Sequence, residues 1–190
     1  MAVERIEGVI VKGGFYLEPI SSMRIDRDAY SVGLDILRSK YEIYRSHPPI
    51  LFPLLRGGAR GFLNISGSFR RILKDGKQDI DYVPIKISRY NTRTIGSEGQ
   101  LAVDEHDIMQ AFYALQNHSE GLIIDDVFDR GHSATAAQEL LLPSGKPVPI
   151  VTLYTKSEEN QTTNNVSFYV QDFKSRVLGG RRFRPWLVFP

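Results

Sequence analysis

The sequence predicts an α/β fold in which a doubly wound, mainly parallel β-sheet is flanked by helices. Three apolar runs, residues 50–55, 122–124 and 148–154, have the length and β-branched content of buried strands. The first two runs are each followed by a glycine-containing turn and then by a helix-compatible segment. Strands that alternate with helical segments in this way favour a parallel sheet with helices on its faces.

Length and composition are those of an ordinary globular protein. The 190 residues, of which 42% are hydrophobic and 24% charged, suffice for one domain with a substantial core. Cysteine is absent, which excludes disulfides, thiolate metal ligands and cysteine nucleophiles. The formal net charge of +2 does not by itself indicate a polyanionic partner.

Sequence signals for several other classes of protein are missing. Residues 1–7 lack the apolar core of a signal peptide and no run reaches the length of a membrane span, so cytoplasmic residence is expected. There is no phosphate-binding Walker loop, no dinucleotide fingerprint and no pair of histidines at zinc-ligand spacing.

The segment 122–136 carries the main functional signal. Asp125 and Asp126 follow an apolar run, and a turn containing Gly131 leads into a helical segment that begins near Ser133. The first N–H groups of such a helix lack intrahelical partners and favour an anion, and glycine permits close approach of a ligand. The two acids instead suit sugar hydroxyls or Mg²⁺. A ribose phosphate suits both parts of the segment, because its phosphate fits the helix start and its hydroxyls fit the two acids.

Residues 123–133 resemble the signature of the type I phosphoribosyltransferases. In that signature an apolar strand precedes two acidic residues, two apolar residues and an Asp-x-Gly-x-Ser/Thr turn. The sequence departs from the pattern at Gly121, Phe128 and Arg130. The alternative is an ordinary strand, loop and helix with a solvated acidic end, but the spacing within the turn favours the functional interpretation.

The resemblance implies a site for phosphoribosyl pyrophosphate. Asp125 and Asp126 are expected to bind its ribose, directly or through Mg²⁺. Asp129 is expected to act as the catalytic general base on the purine ring. The 5′-phosphate is expected to bind to the turn, which consists of Asp129, Arg130, Gly131, His132 and Ser133.

A second glycine turn follows the strand at residues 50–55. Arg56, Gly57 and Gly58 stand there before a helical run that extends to about residue 73. Converging backbone N–H groups and a guanidinium suit an anion. By the resemblance these three residues hold the pyrophosphate, although a Gly-Gly turn before a helix is common when taken alone.

A third stretch resembles the mobile loop of the hypoxanthine-guanine branch. That loop begins with a Ser-Tyr pair, which Ser88, Arg89 and Tyr90 match with one inserted residue, and the polar residues 92–100 follow. Closure of the loop would exclude water from a cation-like sugar. An exposed hairpin tip is the alternative.

The C-terminal part is expected to supply the base-binding end. Residues 186–190 resemble the closing strand of xanthine-guanine and archaeal-type purine phosphoribosyltransferases. By that resemblance Lys156 donates to the exocyclic oxygen of the purine, Trp186 stacks on the base and Leu187 supplies backbone contacts. A surface lysine and a core tryptophan are the alternatives. The segment between Tyr169 and Trp186 is longer than in the family, which leaves the preferred purine open.

Two further helices and one or two short N-terminal strands complete the prediction. Residues 105–116 have helical spacing, and residues 8–17 are predicted to form one or two short strands. Another helix is predicted to start at Asp26 or Asp28 and to stop at residues 47–49. One stripe along it is expected to pack in the core. The stripe consists of Tyr30, Leu34, Leu37, Tyr41 and Tyr44.

Residues 1–190 are therefore expected to form a single phosphoribosyltransferase-like domain, with a core of about 49–156 and a small hood from about 1–25 and 157–190. The expected reaction joins hypoxanthine, guanine or xanthine to phosphoribosyl pyrophosphate, with Mg²⁺, in purine salvage. A homo-oligomer, either a dimer or a tetramer, is also expected.

Two alternatives to that function remain open. One is a non-catalytic, nucleotide-sensing regulator of the same fold whose basic segment 174–184 contacts nucleic acid, which the modest net charge disfavours. The other is a transferase for a pyrimidine or for adenine. Lys156 disfavours adenine, which lacks the oxygen that a lysine would contact.

Overall fold

The structure is a computed structural model that describes residues 3–55, 62–63, 65–67, 69, 80–89, 101–128, 131–156 and 166–188. The helices are α1 (Ser22–Ser46), α2 (Glu105–Gln116) and α3 (His132–Leu141), which continues into a 3₁₀ turn at Leu142–Ser144, and the described residues between 62 and 69 are also helical. The strands are β1 (Val3–Ile6), β2 (Val9–Lys12), β3 (Phe15–Pro19), β4 (Ile50–Pro53), β5 (Ile87–Arg89), β6 (Leu101–Val103), β7 (Gly121–Phe128), β8 (Ile150–Thr155), β9 (Val166–Phe168), β10 (Gln171–Asp172), β11 (Arg176–Leu178) and β12 (Arg181–Val188).

A parallel sheet lies at the centre of the fold. Strands β4, β7 and β8 are parallel neighbours in that order. Strands β9 and β10 pair with the edge of β8 that faces away from β7. On the other side of β4, Leu51 and Leu54 form parallel bridges to Tyr82 and Ile85. Residues 82–85, which follow β4 in sequence, thus lie on one side of β4, whereas β7 and β8 lie on the other side. In open α/β sheets, ligands bind at a reversal of this kind, beyond the carboxyl ends of the strands.

Helices cover both faces of this sheet. Leu122 and Ile124 of β7 pack with α1 and with the helical residues around 65–69. Ile123, which points the other way, packs with α2 and α3. The predicted α/β class with a parallel sheet is therefore confirmed. Within the described ranges, no helix is both long enough and apolar enough to cross a membrane.

Helix α1 begins earlier than predicted. Ser21 is its cap, because the Ser21 hydroxyl accepts a hydrogen bond from Arg24 N at 3.2 Å. Asp26 and Asp28 consequently lie inside the helix, and the prediction that one of them caps it is wrong. The predicted stop is confirmed, since the helix ends at Ser46, before Pro48 and Pro49.

The stripe predicted on α1 is confirmed only in part. Leu37 and Tyr44 are buried, whereas Tyr30 and Tyr41 are each 37% exposed. The main buried stripe is aliphatic and runs beside Tyr30 rather than through it, and Lys40 interrupts the helix with φ −135° and ψ 22°. Sequence spacing alone does not distinguish two stripes that lie one residue apart on the same helix. The buried side chains before the break are Ile25, Ala29, Val32, Ile36 and Leu37.

A second, five-stranded sheet joins the two ends of the described chain in the order β1-β2-β3-β12-β11. Strands β3 and β12 are parallel, with Leu17 opposite Trp186. Strands β11 and β12 form a hairpin that turns at Gly179 and Gly180, both with positive φ. The last strand was predicted from residue 186, but β12 already begins at Arg181. In β12, exposed basic residues alternate with buried residues that are not charged, as a sheet with one covered face requires.

Candidate active site

Strand β7 carries the two acids of the central motif within its second half. Asp125 Oδ1 accepts a hydrogen bond from Asp126 N at 2.9 Å, and Asp126 Oδ1 accepts one from Val127 N at 2.7 Å. These bonds occupy one oxygen of each carboxylate and orient both side chains. The acids lie just beyond Ile124, where the pairing of β7 with β4 ends. They therefore stand beside the carboxyl end of β4.

The environment of Asp125 changes its ionisation. Burial, followed by the neighbouring charge of Asp126, raises the pKa of Asp125 to about 8. Asp125 is then largely protonated at neutral pH, and its carboxyl group is a hydrogen-bond donor as well as an acceptor. The acid pair consequently bears less negative charge than two solvated aspartates would.

The turn after β7 requires glycine at position 131. Gly131 has φ 72°, and a Cβ at this position would lie 2.1 Å from Cζ of Phe128. Helix α3 begins directly after it, at His132, close to the predicted start. Because glycine brings no side chain to cap the first N–H groups of α3, this turn has the backbone arrangement of an anion site at a helix start.

The two predicted base-binding side chains are brought together. Lys156 follows β8, and its backbone N donates to Phe128 O at 3.0 Å, so it lies beside the end of β7. Lys156 Nζ is 6.0 Å from the centre of the Trp186 ring. Trp186 is 53% exposed and contacts the ring of Phe15 edge-on at 5.4 Å between centroids. A core tryptophan is therefore ruled out, whereas the side chain of Leu187 is buried in the core.

A buried acid near this end of β8 was not recognised from the sequence. The Tyr154 hydroxyl donates to Asp28 Oδ2 at 2.9 Å, and the Nε atoms of Arg24 and Arg27 lie 3.6 and 3.2 Å from the same carboxylate. Burial and the hydrogen bond to Asp28 raise the pKa of Tyr154 above its ordinary value. No signal in the sequence separates Asp28 from the other acids of α1. Its contacts hold β8 two residues before Lys156.

Several predicted site residues lie beyond what the structure describes. For Ser88 and Arg89 the structure describes the backbone only. Both residues belong to β5, which pairs with β6 in a small antiparallel sheet. His132 is exposed and Ser133 is half-buried at the start of α3. The predicted residues outside the described ranges are Arg56, Gly57, Gly58, Tyr90, Asp129 and Arg130.

The acid pair fits Mg²⁺ only together with a ligand. Among the described residues there is no group of three or more acidic, histidine or cysteine side chains arranged to hold a metal. Mg²⁺ at nucleotide sites is commonly bound by one or two carboxylates together with substrate phosphates. Asp126, and Asp125 once it has lost its proton, would match that requirement, because substrate oxygens would complete the coordination.

Comparison with known proteins gives similarity in structure but not in sequence. No family model and no curated protein matches the sequence. A purine phosphoribosyltransferase from Pyrococcus horikoshii matches with a TM-score of 0.56 at 18% identity, over 92% of each chain. The xanthine-guanine-hypoxanthine phosphoribosyltransferase of Helicobacter pylori matches with a TM-score of 0.53 at 14% identity, over 91% of each chain.

A third similar structure is a hypothetical protein from Neisseria gonorrhoeae with bound ppGpp. Its TM-score is 0.62 at 13% identity, over 95% of this chain and 90% of that one. At such identities the similarity extends to the fold alone. The chain has the fold of the phosphoribosyltransferases.

Proposed function

We propose that this protein transfers the phosphoribosyl group of phosphoribosyl pyrophosphate to a 6-oxopurine and releases pyrophosphate. The main support is the hydrogen bond between Lys156 N and Phe128 O, which joins the strand end carrying the lysine to the strand end carrying the acid pair. Groups suited to a base, a ribose and a phosphate thereby meet at one edge of the sheet. Similar structures that are named as purine phosphoribosyltransferases support the same reaction.

The acid pair would hold the ribose. Protonated Asp125 donates to one ribose oxygen while Asp126 accepts from a hydroxyl, so the pair matches a diol better than two bare carboxylates would. The N–H groups of the turn at 129–133, with Arg130 and Ser133, take the 5′-phosphate. Arg56, Gly57 and Gly58 take the pyrophosphate. When Mg²⁺ is bound instead, Asp125 would lose its proton, and the metal, held by the acid pair and the substrate, would neutralise part of the leaving-group charge.

The base would lie between Trp186 and Lys156. The indole stacks on the purine and Nζ donates to its 6-oxo group, which selects hypoxanthine, guanine or xanthine over adenine. Asp129 shares the proton of the purine imidazole ring as general base while the sugar passes through an oxocarbenium-like state. In this proposal the α/β core is doubly wound, the five-stranded sheet is the hood over the site, and the segment from Ser88 to residue 100 closes to exclude water.

Release of pyrophosphate tests the reaction. Phosphoribosyl pyrophosphate and Mg²⁺ are supplied with hypoxanthine, guanine, xanthine or adenine in parallel. We expect turnover with at least one 6-oxopurine and none with adenine. Asp129→Asn should lower kcat by a factor on the order of 10²–10⁴, the usual contribution of a general base, and should change the affinity for phosphoribosyl pyrophosphate far less.

Asp35→Asn is the matched control, because Asp35 is exposed on α1 and pairs with Arg38 at 3.5 Å. Equal turnover in the Asp129 variant and the wild-type protein would refute the role of Asp129. Absence of pyrophosphate release with all four bases would refute the transferase itself.

The Neisseria structure favours one second candidate, the binding of a phosphorylated guanine nucleotide without turnover. The same turn, acid pair and tryptophan would then bind a phosphate, a ribose and a base as parts of one ligand. Calorimetric titration with ppGpp distinguishes the two functions. Tight binding combined with no pyrophosphate release from any purine would support the regulator, whereas turnover would support the transferase.

A further inference from the structure

A cleft of about 440 Å³ lies where β7 and β8 begin, at the edge of the sheet opposite the candidate active site. It is called here the amino-edge cleft. Helices α1 and α3 and strand β9 contribute to its walls, together with the residues directly before β7 and β8. Its volume lies within the range of small-molecule sites, about 300–1,000 Å³. The chemistry of its walls therefore indicates what kind of molecule it would bind.

One wall of the amino-edge cleft carries a cation and an anion that neutralise each other. The carboxylate of Glu120 is buried, accepts a hydrogen bond from the Tyr44 hydroxyl at 2.7 Å and forms an ion pair with Lys40. The side chain of Lys40 is 32% exposed, and an ammonium group has three N–H donors, so donors remain for a ligand. An uncharged ligand is favoured, because a charged one would leave water without a counter-ion in the cleft.

Two further polar groups of the amino-edge cleft have unused hydrogen-bonding capacity. Gln138 donates through Nε2 to Val148 O at 2.8 Å, but its Oε1 accepts no hydrogen bond from the described residues. The hydroxyl of Ser167 on β9 also has no partner within the described ranges. The cleft thus offers a donor at Lys40, an acceptor at Gln138, and a hydroxyl that can act as either.

The remaining surface of the amino-edge cleft is apolar. The rings of Pro147 and Pro149 line it next to the half-buried ring of Phe168. Apolar walls with a few polar groups are typical of sites that bind small organic molecules. Flat rings favour a planar ligand, because a planar molecule makes the largest contact with them.

We propose that the amino-edge cleft binds a small, uncharged, planar heterocycle that carries a carbonyl group beside an N–H group, which is the lactam edge of molecules such as uracil. The carbonyl oxygen accepts from Lys40, the N–H donates to Oε1 of Gln138, and the ring lies against the prolines and Phe168. The inference goes beyond the proposed transfer reaction, since none of these residues belongs to the candidate active site.

Uracil is the probe, and saturation-transfer NMR of the free ligand measures its binding. For a molecule of this size we expect a dissociation constant on the order of 1 mM. Uracil methylated on both ring nitrogens keeps the shape but has no N–H, so it should bind about 10-fold more weakly. Orotate, which adds a carboxylate to the same ring, should also bind about 10-fold more weakly.

Substitutions at Ser167 locate the binding site. Ser167→Phe fills the cleft and should abolish the binding of uracil, whereas Ser167→Ala should weaken it about 2- to 10-fold. Gln116→Phe is the matched control, because Gln116 is exposed at the end of α2 and does not line the cleft. Thermal melting establishes that each variant is folded, and Ser167→Ala with the methylated ligand decides the question if Ser167→Phe is not.

Three outcomes would overturn the proposal. The first is no saturation transfer to uracil at about 10 mM, and the second is equal binding of uracil and its methylated form. The third is unchanged binding of uracil to folded Ser167→Phe. Trp186 is the only tryptophan, so quenching of its fluorescence in that variant would place uracil at the candidate active site instead. The proposed transfer reaction would then stand although the amino-edge cleft had failed as a site.

Discussion

Asp125 shows how far the position of a residue changes its chemistry. In the sequence it is one of two adjacent aspartates, but β7 holds it partly buried beside Asp126. Burial and the neighbouring charge both favour the neutral carboxyl group, and the two effects add. Prediction of the acid pair as a ribose site needed only the motif, whereas the donor role of Asp125 follows from its burial.

The raised pKa of Asp125 predicts a loss of stability as pH rises. The folded protein binds this proton more tightly than the unfolded chain, so the contribution is fully present below pH 4 and is lost between pH 4 and about 8. Asp125→Asn should flatten this part of the pH profile, as measured by urea unfolding at pH 5 and pH 8. Asp35→Asn should keep the wild-type profile. An unchanged profile in Asp125→Asn would contradict the assignment.

Adding a single methyl group at Gly131 is expected to destabilise the protein. Gly131→Ala must keep φ near 72° and also move the ring of Phe128, so we expect a loss of about 1–3 kcal/mol in the free energy of unfolding and weaker phosphate binding. Gly145→Ala is the matched control. Gly145 has the same φ of 72°, but nothing lies within 4 Å of its Cβ position. Equal losses in the two variants would show that the contact with Phe128 is unimportant.

At the scale of elements, two buried tyrosine–carboxylate pairs hold opposite ends of the structure. Tyr154 donates to Asp28 at the carboxyl end of β8. At the amino end of β7, the Tyr44 hydroxyl donates to Glu120 at 2.7 Å, and Lys40, at the break in α1, forms an ion pair with the same carboxylate. Both pairs fix a strand against α1. Only the first lies on the edge that carries the candidate site.

These pairs predict a separation of stability from ligand binding. Tyr154→Phe and Tyr44→Phe each remove a hydroxyl from a buried carboxylate, so each should cost about 1–3 kcal/mol in urea unfolding. Only Tyr154→Phe should weaken the binding of hypoxanthine, because Tyr154 holds β8 beside Lys156. Quenching of Trp186 fluorescence by the base measures this binding. Equal weakening in both variants would mean that general destabilisation is the cause.

At the scale of the whole molecule, the fold brings distant segments to a common edge. Phe128, Lys156 and Trp186 are far apart in sequence, but Lys156 N bonds to Phe128 O and Lys156 Nζ lies 6.0 Å from the Trp186 ring. The pairing of β3 with β12 builds the five-stranded sheet from both ends of the described chain. It also collects Arg5, Lys12, Arg182 and Arg184 on one face.

The sequence by itself determined the parts whose signals are local. The apolar runs predicted β4, β7 and β8, and this prediction succeeded because strand burial depends on neighbouring residues. The anion and sugar sites assigned to the glycine turn and the Asp-Asp pair stay predictions. The central strand-turn-helix motif also led to the fold that the similar structures have.

Only the tertiary structure decided the features that depend on distant contacts. The core decided which of two adjacent stripes of α1 is buried, and the ion pairs of Asp28 had no sequence signal. The net charge of +2 gave no indication that Glu4 and Glu18 lie on one face of the five-stranded sheet, because strand pairing, not composition, decides the face of each side chain.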